Sequence, residues 1–264
     1  MAKNWDALVV NDYEYVMPLT FNKKWGIKYL YQPPFTQQLG VFSKCLLTPD
    51  ILRQFMEAVN DRFRFADIFL NYENTYFPNT VPRTNCILNL TDPYSVTRNN
   101  FKNDLIRCLK IASQFDLSYD QIPEPQYAIE MHKKLYMKRT PHVKKFDYEN
   151  LLNLSLDLLP KNEMIIRAIS GPPSTILSLA MLLRDSKRIY LIISATSPEG
   201  RRKKANHLLI DSIIKEFSNN QLTLDFEGSD IPGIAHFYYH FGAQNQPYYF
   251  YNHNKLPWPA SILK

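Results

Sequence analysis

The chain is 264 residues long, 45% hydrophobic and 21% charged, with a formal net charge of +6. That length allows one large domain or two small ones, and the mixed composition is that of an ordinary globular protein able to bury a sizeable core. Cys45, Cys86 and Cys108 stand far apart with no Cys-x-x-Cys pair, which argues against a structural zinc site or a disulfide framework.

Met1-Ala-Lys-Asn-Trp-Asp carries charge at once and lacks the apolar run of a secretory signal, so the expected location is the cytoplasm. Tyr15 to Phe21 favours a strand, Asn22 to Gly26 a turn, and Ile27 to Tyr31 a second strand broken by Pro33-Pro34. After a polar loop, Thr48-Pro49-Asp50 announces a helix with Ile51, Leu52, Phe55 and Ala58 on its apolar positions, followed by a strand from Phe65 to Leu70. Tyr94 to Leu117 reads as a basic helix with Phe101, Leu105 and Leu109 on one buried face. Further helices are expected at Tyr127 to Met137 and at Tyr148 to Leu159, the latter capped by Asp147.

The order then returns. Thr175 to Leu183 and Ile189 to Ala195 form a second hairpin, the first of them containing the longest apolar stretch, Ile176 to Leu183, which is too short to cross a bilayer. A polar loop from Thr196 to Lys204 leads into a helix with Ala205, Leu208, Leu209, Ile213 and Phe217 on one face, and then to a strand from Leu222 to Phe226. Both halves run hairpin, loop, helix, strand, without residue-level repetition. The expected organisation is an α/β fold with mixed sheets in two domains, 1–120 and 121–264, joined near Ser118 to Pro125.

Leu222 to Ala243 is the most informative stretch: a buried strand, an acidic turn with Asp225 and Glu227, then a short aromatic helix closed by Gly242. On an extended strand Asp225 and Glu227 point to the same side. Carboxylates at a strand end either line a site or cap the helix that follows. His236 and His240 lie four apart, but no Glu follows His236 and no third ligand accompanies them, so no metal is expected. His207 begins a helix and is expected to be exposed.

The run Ile189 to Ala195, the loop Thr196 to Lys204, the helix Ala205 to Phe217 and the strand ending Leu224-Asp-Phe-Glu-Gly228 resemble the core of the GNAT acyltransferase superfamily. They are similar in particular to the Fem-type peptidyltransferases, in which two GNAT-like domains stand in tandem. The second of those domains carries an Asp-Phe-x-Gly…Gly…Phe-x-x-x-Phe-Gly pattern, met here by Asp225-Phe226-Glu227-Gly228, Gly233, Phe237 and Phe241-Gly242. Tyr94-Ser95 through Arg98-Asn99-Asn100 is also similar to that family's link out of the first domain. The specific part of the resemblance lies in about the last eighty residues.

The resemblance implies two tandem GNAT-like domains and transfer of an acyl or aminoacyl group, from acyl-CoA or aminoacyl-tRNA, to an amine acceptor in a cleft between them. It places the acyl donor along Ile193, Ser194 and Ala195. Its pyrophosphate loop, Arg/Gln-x-x-Gly-x-Gly/Ala at a helix start, puts Gly200 at the first position, Lys203 at the first Gly and Ala205 at the last; Ala205 alone conforms, and Lys203 adds a side chain where close backbone approach is wanted. Arg201, Arg202, Lys203 and Lys204 together suit a polyphosphate or an RNA backbone, and equally a solvated loop.

Acyl transfer to an amine needs a proton acceptor and donors for the developing oxyanion, and no covalent nucleophile. Asp225 and Glu227 are candidates for the first task. Tyr238, Tyr239 and Tyr31 are candidates for protonating a leaving group, or are packed tyrosines. Gln32, Thr36, Gln37 and Gln38 are candidates for lining an acceptor groove, or a plain polar turn. The rival from another class is a non-catalytic GNAT-fold protein that uses its cleft to bind a ligand or partner.

Overall fold

The computed structural model describes residues 2–75, 77–122, 124–228 and 230–258. Pro123 of the expected junction and Ser229 of the acidic turn lie outside them.

In chain order the first elements are β1 (Asn4–Val10), β2 (Tyr15–Lys24), β3 (Ile27–Tyr31), β4 (Phe42–Ser43), α1 (Pro49–Arg62), β5 (Phe65–Leu70) and β6 (Thr80–Arg83). Next come β7 (Cys86–Asn89), α2 (Tyr94–Asn99), α3 (Asn103–Ala112), β8 (Ser118–Gln121), α4 (Pro125–Tyr136), α5 (Lys145–Leu158), β9 (Met164–Gly171), β10 (Thr175–Arg184) and β11 (Arg188–Thr196). α6 (Pro198–Arg202), α7 (Ala205–Phe217), β12 (Thr223–Asp225), α8 (Pro232–Tyr239), β13 (Gln244–Asn245) and β14 (Tyr248–Asn254) complete the fold.

These elements form two mixed sheets in two compact units. One unit is 1–84 with 246–264, and its sheet runs β1-β2-β3-β5-β14-β6, with β4 on β2. The other is 85–245, and its sheet runs β13-β7-β12-β11-β10-β9-β8. The junction expected at Ser118 to Pro125 is therefore not where the units divide. β8 occupies that stretch and pairs with β9 from Ser118↔Ser170 to Gln121↔Arg167. The chain instead crosses between the units twice, after Thr84 and after Asn245, a partition fixed by non-local strand pairing.

Local chemistry accounts for the main elements. Thr48 caps α1 by accepting the Ile51 amide at 3.3 Å, with Pro49 at the first helical position. Leu52, Phe55, Met56 and Val59 of α1 are buried with Met17, Leu19, Leu30, Ile68 and Leu70 of the first sheet. In the second unit Ala205, Leu209, Ile213 and Phe217 recur every fourth residue along α7 and join Leu105, Leu177, Ile189 and Leu224 in the core. Fully burying an aliphatic side chain of this kind contributes about 1.5–3 kcal/mol.

Three expectations change in detail. The basic helix divides into α2 and α3, with Phe101 in the break buried against Phe241 at a ring separation of 5.5 Å. Asp147 is the third residue inside α5, where its carboxylate accepts the Lys144 amide at 2.7 Å. The loop Thr196 to Lys204 contains the short helix α6, capped by Ser197, whose hydroxyl accepts the Gly200 amide at 3.0 Å.

Candidate functional site

β11 and β12 run parallel over only three pairs, Arg188↔Thr223, Ile189↔Leu224 and Tyr190↔Asp225. β11 then continues six residues to Thr196, while β12 stops and Phe226 donates its amide to the Cys86 carbonyl of β7 at 3.0 Å. The two strands thus part at the acidic turn. β11 also bulges on its other side: Met181 opposes Ile193 and Leu182 opposes Leu191, leaving Ile192 as the extra residue. A bulge bends its strand and re-aims the residues around it. Beyond it Ile193 and Ala195 are buried and Ser194 is exposed.

Asp225 is 1% exposed and heavily engaged. One oxygen accepts the Asn85 amide group at 2.9 Å and the Glu227 backbone amide at 3.1 Å, and the other receives the Arg188 guanidinium at 2.8 Å. Burial raises its proton affinity, and these donors oppose that effect. Such a carboxylate is a positioning group: it pins the start of β11, the entry to β7 and the acidic turn together.

Glu227 stands differently. The strand ends at Asp225, and Glu227 and Gly228 both take left-handed backbone angles, φ +45° and +55°. The alternation that would set the two acids on one side is therefore interrupted. Burial, reinforced by the Asp225 charge, pushes the Glu227 carboxyl up to about 8, so it exchanges its proton near neutrality.

Aromatic groups from α8 enclose this turn. Tyr238 stacks on Phe226 at 4.2 Å, and its phenol is raised by burial and then by Cys86, Glu227 and Tyr136 of α4. Burial also raises the Tyr239 phenol, which hydrogen-bonds Cys86. Phenols held so firmly protonated are weak acids, which suits donation to an oxyanion better than proton delivery to a leaving group. Arg188, Asn85, Cys86 and Tyr136 were not among the expected site residues.

The basic loop is partly occupied by the fold. A Cβ at Gly200 would fall 2.3 Å from the Leu177 carbonyl oxygen, so this glycine serves close packing of α6 on β10. Arg201 donates to the Thr196 carbonyl at 2.8 Å, and Lys203 pairs with Glu199 at 2.7 Å. Arg202 is exposed, Lys204 starts α7 in a left-handed conformation, and Ala205 is buried.

His207 is half-buried rather than exposed, edge-on to Phe237 at 5.0 Å. Burial, Lys204 and His240 push it down to about 4, so it is neutral at physiological pH. The His236 and His240 rings lie 4.3 Å apart. Among the described residues no cluster of three metal-ligating side chains occurs, nor is any helix long and apolar enough to cross a membrane.

The other expected residues fall in the first unit. The Gln32 side chain accepts the Phe69 amide at 3.0 Å and donates to the Thr36 carbonyl at 2.7 Å. Gln38 accepts the Tyr72 amide at 3.1 Å and donates to the Gln37 side chain at 2.7 Å. The Tyr31 carbonyl accepts the Thr20 hydroxyl at 2.7 Å. A cavity of about 240 Å³ at the start of α1, lined by Leu46, Leu47, Leu52 and Glu73 among others, includes none of the expected residues.

No family profile matches the chain, and neither does any curated protein sequence. Solved structures do. FemX superposes with a TM-score of 0.63 at 12% identity, over 93% of this chain and 88% of FemX. A conserved protein from Bacteroides thetaiotaomicron gives 0.59 at 9% identity over 92% and 84%, and L-PGS from Bacillus licheniformis gives 0.55 at 10% identity over 98% and 87%. At such identities the likeness is one of architecture: the chain carries the Fem-like fold of FemX.

Proposed function

We propose that this protein transfers an acyl or aminoacyl group from an activated donor, an acyl-CoA or an aminoacyl-tRNA, to an amine. The donor carbonyl lies along β11 beyond Tyr190, where β12 has departed, and Glu227 takes the proton that the attacking ammonium must lose. Tyr238 donates a hydrogen bond as the oxyanion develops, and Asp225, held by Arg188 and Asn85, positions the turn.

The parting of β11 and β12 beside a carboxyl that titrates near 8 carries this reading. A base is most effective when its proton affinity matches the working pH. The likeness to FemX and L-PGS is consistent with it at the level of fold.

Donor class is tested by thermal shift with acetyl-CoA, longer acyl-CoAs and aminoacyl-tRNA, because a ligand bound only by the native state raises Tm. Transfer is then measured with the donor that binds. The rate is expected to climb with pH through about 8 as Glu227 ionises, and Glu227→Gln is expected to lower kcat/KM by about 10²–10⁴-fold. A Glu227→Gln variant with full activity defeats the assignment of the base. Binding without turnover in the native chain would leave a ligand-binding protein on a transferase fold.

A further inference from the structure

The tip of the β2–β3 hairpin lies in the first unit and takes no part in the chemistry proposed above. The pairing of β1 with β2 begins at Asn4↔Phe21, and that of β3 with β5 begins at Tyr29↔Phe65. Residues 23–28 therefore overhang both neighbouring strands. The two-residue turn is Trp25-Gly26, with φ of +50° and +81°, flanked by the pair Lys24↔Ile27.

Two features of this tip work against folding stability. Left-handed backbone at both central positions favours Asn-Gly, and a bulky residue there is strained. Yet the first position holds Trp25, 73% exposed. Behind it, Lys23 and Lys28 sit directly opposite one another, an arrangement of like charges that weakens a hairpin. Lys24 lies over the Trp25 ring at 4.7 Å, and Lys28 over Phe21 at 5.1 Å. Lys3, exposed, precedes the Asn4 that pairs with Phe21, which adds a fourth cation at the same end of the sheet. Asp6, an acid near enough to Lys28 to interact with it, is already bound to Arg62 at 2.6 Å.

We propose that this hairpin tip docks the protein on an anionic lipid surface, with Trp25 at headgroup depth and Lys3, Lys23, Lys24 and Lys28 over the anionic headgroups. An indole is amphipathic and partitions to the membrane–water interface, and lysine stems bury while their ammonium groups reach the phosphates. Each lysine near such a surface strengthens binding by about five-fold. A nucleic acid would instead need a basic stripe tracking successive phosphates, whereas these lysines gather at one end of the sheet, where Trp25 at the turn and Trp5 on β1 are the exposed indoles.

The turn geometry supplies the test. Trp25→Asn installs the residue that the turn favours, so it is expected to keep or raise Tm while removing the anchor. Sedimentation of the full chain is measured with phosphatidylcholine vesicles, with and without phosphatidylglycerol. The native chain is expected to bind only the anionic vesicles and to release as salt increases. Trp25→Asn is expected to weaken binding by at least about ten-fold, and Lys23→Gln with Lys28→Gln by about twenty-five-fold. Undiminished binding by Trp25→Asn or equal binding to neutral vesicles overturns the proposal. So does a fall in Tm for Trp25→Asn, which would give the indole a structural role, or Trp25-dependent binding of single-stranded RNA without vesicle binding.

Discussion

The two units build the same seam and finish it differently. In the first, β3 and β5 run parallel over Tyr29↔Phe65, Leu30↔Ala66 and Tyr31↔Asp67; in the second, β11 and β12 do so over Arg188↔Thr223, Ile189↔Leu224 and Tyr190↔Asp225. Each pair of strands is connected through a helix, α1 or α7. Beyond the third pair the first seam is stitched shut. Gln32 accepts the Phe69 amide, Leu39 donates to the Phe69 carbonyl at 2.7 Å, Asn71 donates to the Leu39 carbonyl at 2.8 Å, and Gln38 accepts the Tyr72 amide. Asn74, fully buried, bonds both backbone groups of Val41. In the second unit β11 runs on while β12 yields to Glu227. One frame thus spends its polar side chains on closing the seam, and the other places a titratable one where the strands part.

The largest expected contrast is in turnover. Glu227→Gln should cost about 10²–10⁴-fold in kcat/KM, whereas Gln32→Ala, which loosens the stitched seam, should leave the rate unchanged. Equal effects of the two would erase the distinction between the units. Next comes stability. Arg188→Ala leaves the Asp225 charge buried without its cation and should destabilise by about 3–5 kcal/mol, read from urea unfolding. A loss under 1 kcal/mol, in the ~0–1 kcal/mol range of an exposed pair, would show that Asp225 is not the pin it is taken to be.

pH offers a finer test. Glu227 titrates near 4.5 in an ordinary setting and at about 8 here. Between those values the unfolded chain has lost a proton that the folded chain keeps, so this group favours folding below pH 4.5, loses that advantage as pH rises to 8, and changes nothing above. Because the residue is only partly buried, the loss should amount to about 1–3 kcal/mol. Glu227→Gln should flatten that slope and be the more stable protein at pH 8, so a slope unchanged in the variant assigns it to another group. The smallest effect is on the stitched side: Asn74→Ala strands the buried Val41 amide, while the Val41 carbonyl keeps the Asn71 side chain as donor at 2.9 Å, and should cost about 1–3 kcal/mol in unfolding experiments, with no change in transfer rate.

Much of this frame was legible in the sequence. Strand alternation, the Thr48 cap and the four-residue repeat of α7 are local signals, and they gave both hairpins, both crossover helices and the acidic turn. The partners of Asp225 were not legible, because Asn85 lies 140 residues away and Arg188 lies 37; Arg188 falls just before the expected strand Ile189 to Ala195 and is the first residue of β11. Residues 248–254 gave no hint that they would leave the second unit to lie between β5 and β6, since an aromatic strand carries no label for its partner. The glutamines after β3 were polar residues beside a Pro-Pro break, and only the folded chain shows that Gln32 bonds to the backbone of β5 and Gln38 to that of Tyr72 just past its end.

A carbon-13 NMR titration of the Glu227 carboxyl, with Glu227→Gln to assign the signal, measures the poised base directly and needs no substrate. The predicted midpoint is about 8. A midpoint near 4.5, the ordinary value for a glutamate, would mean that the parted strands hold an ordinary solvated acid and that the second seam is no more a proton-transfer site than the first.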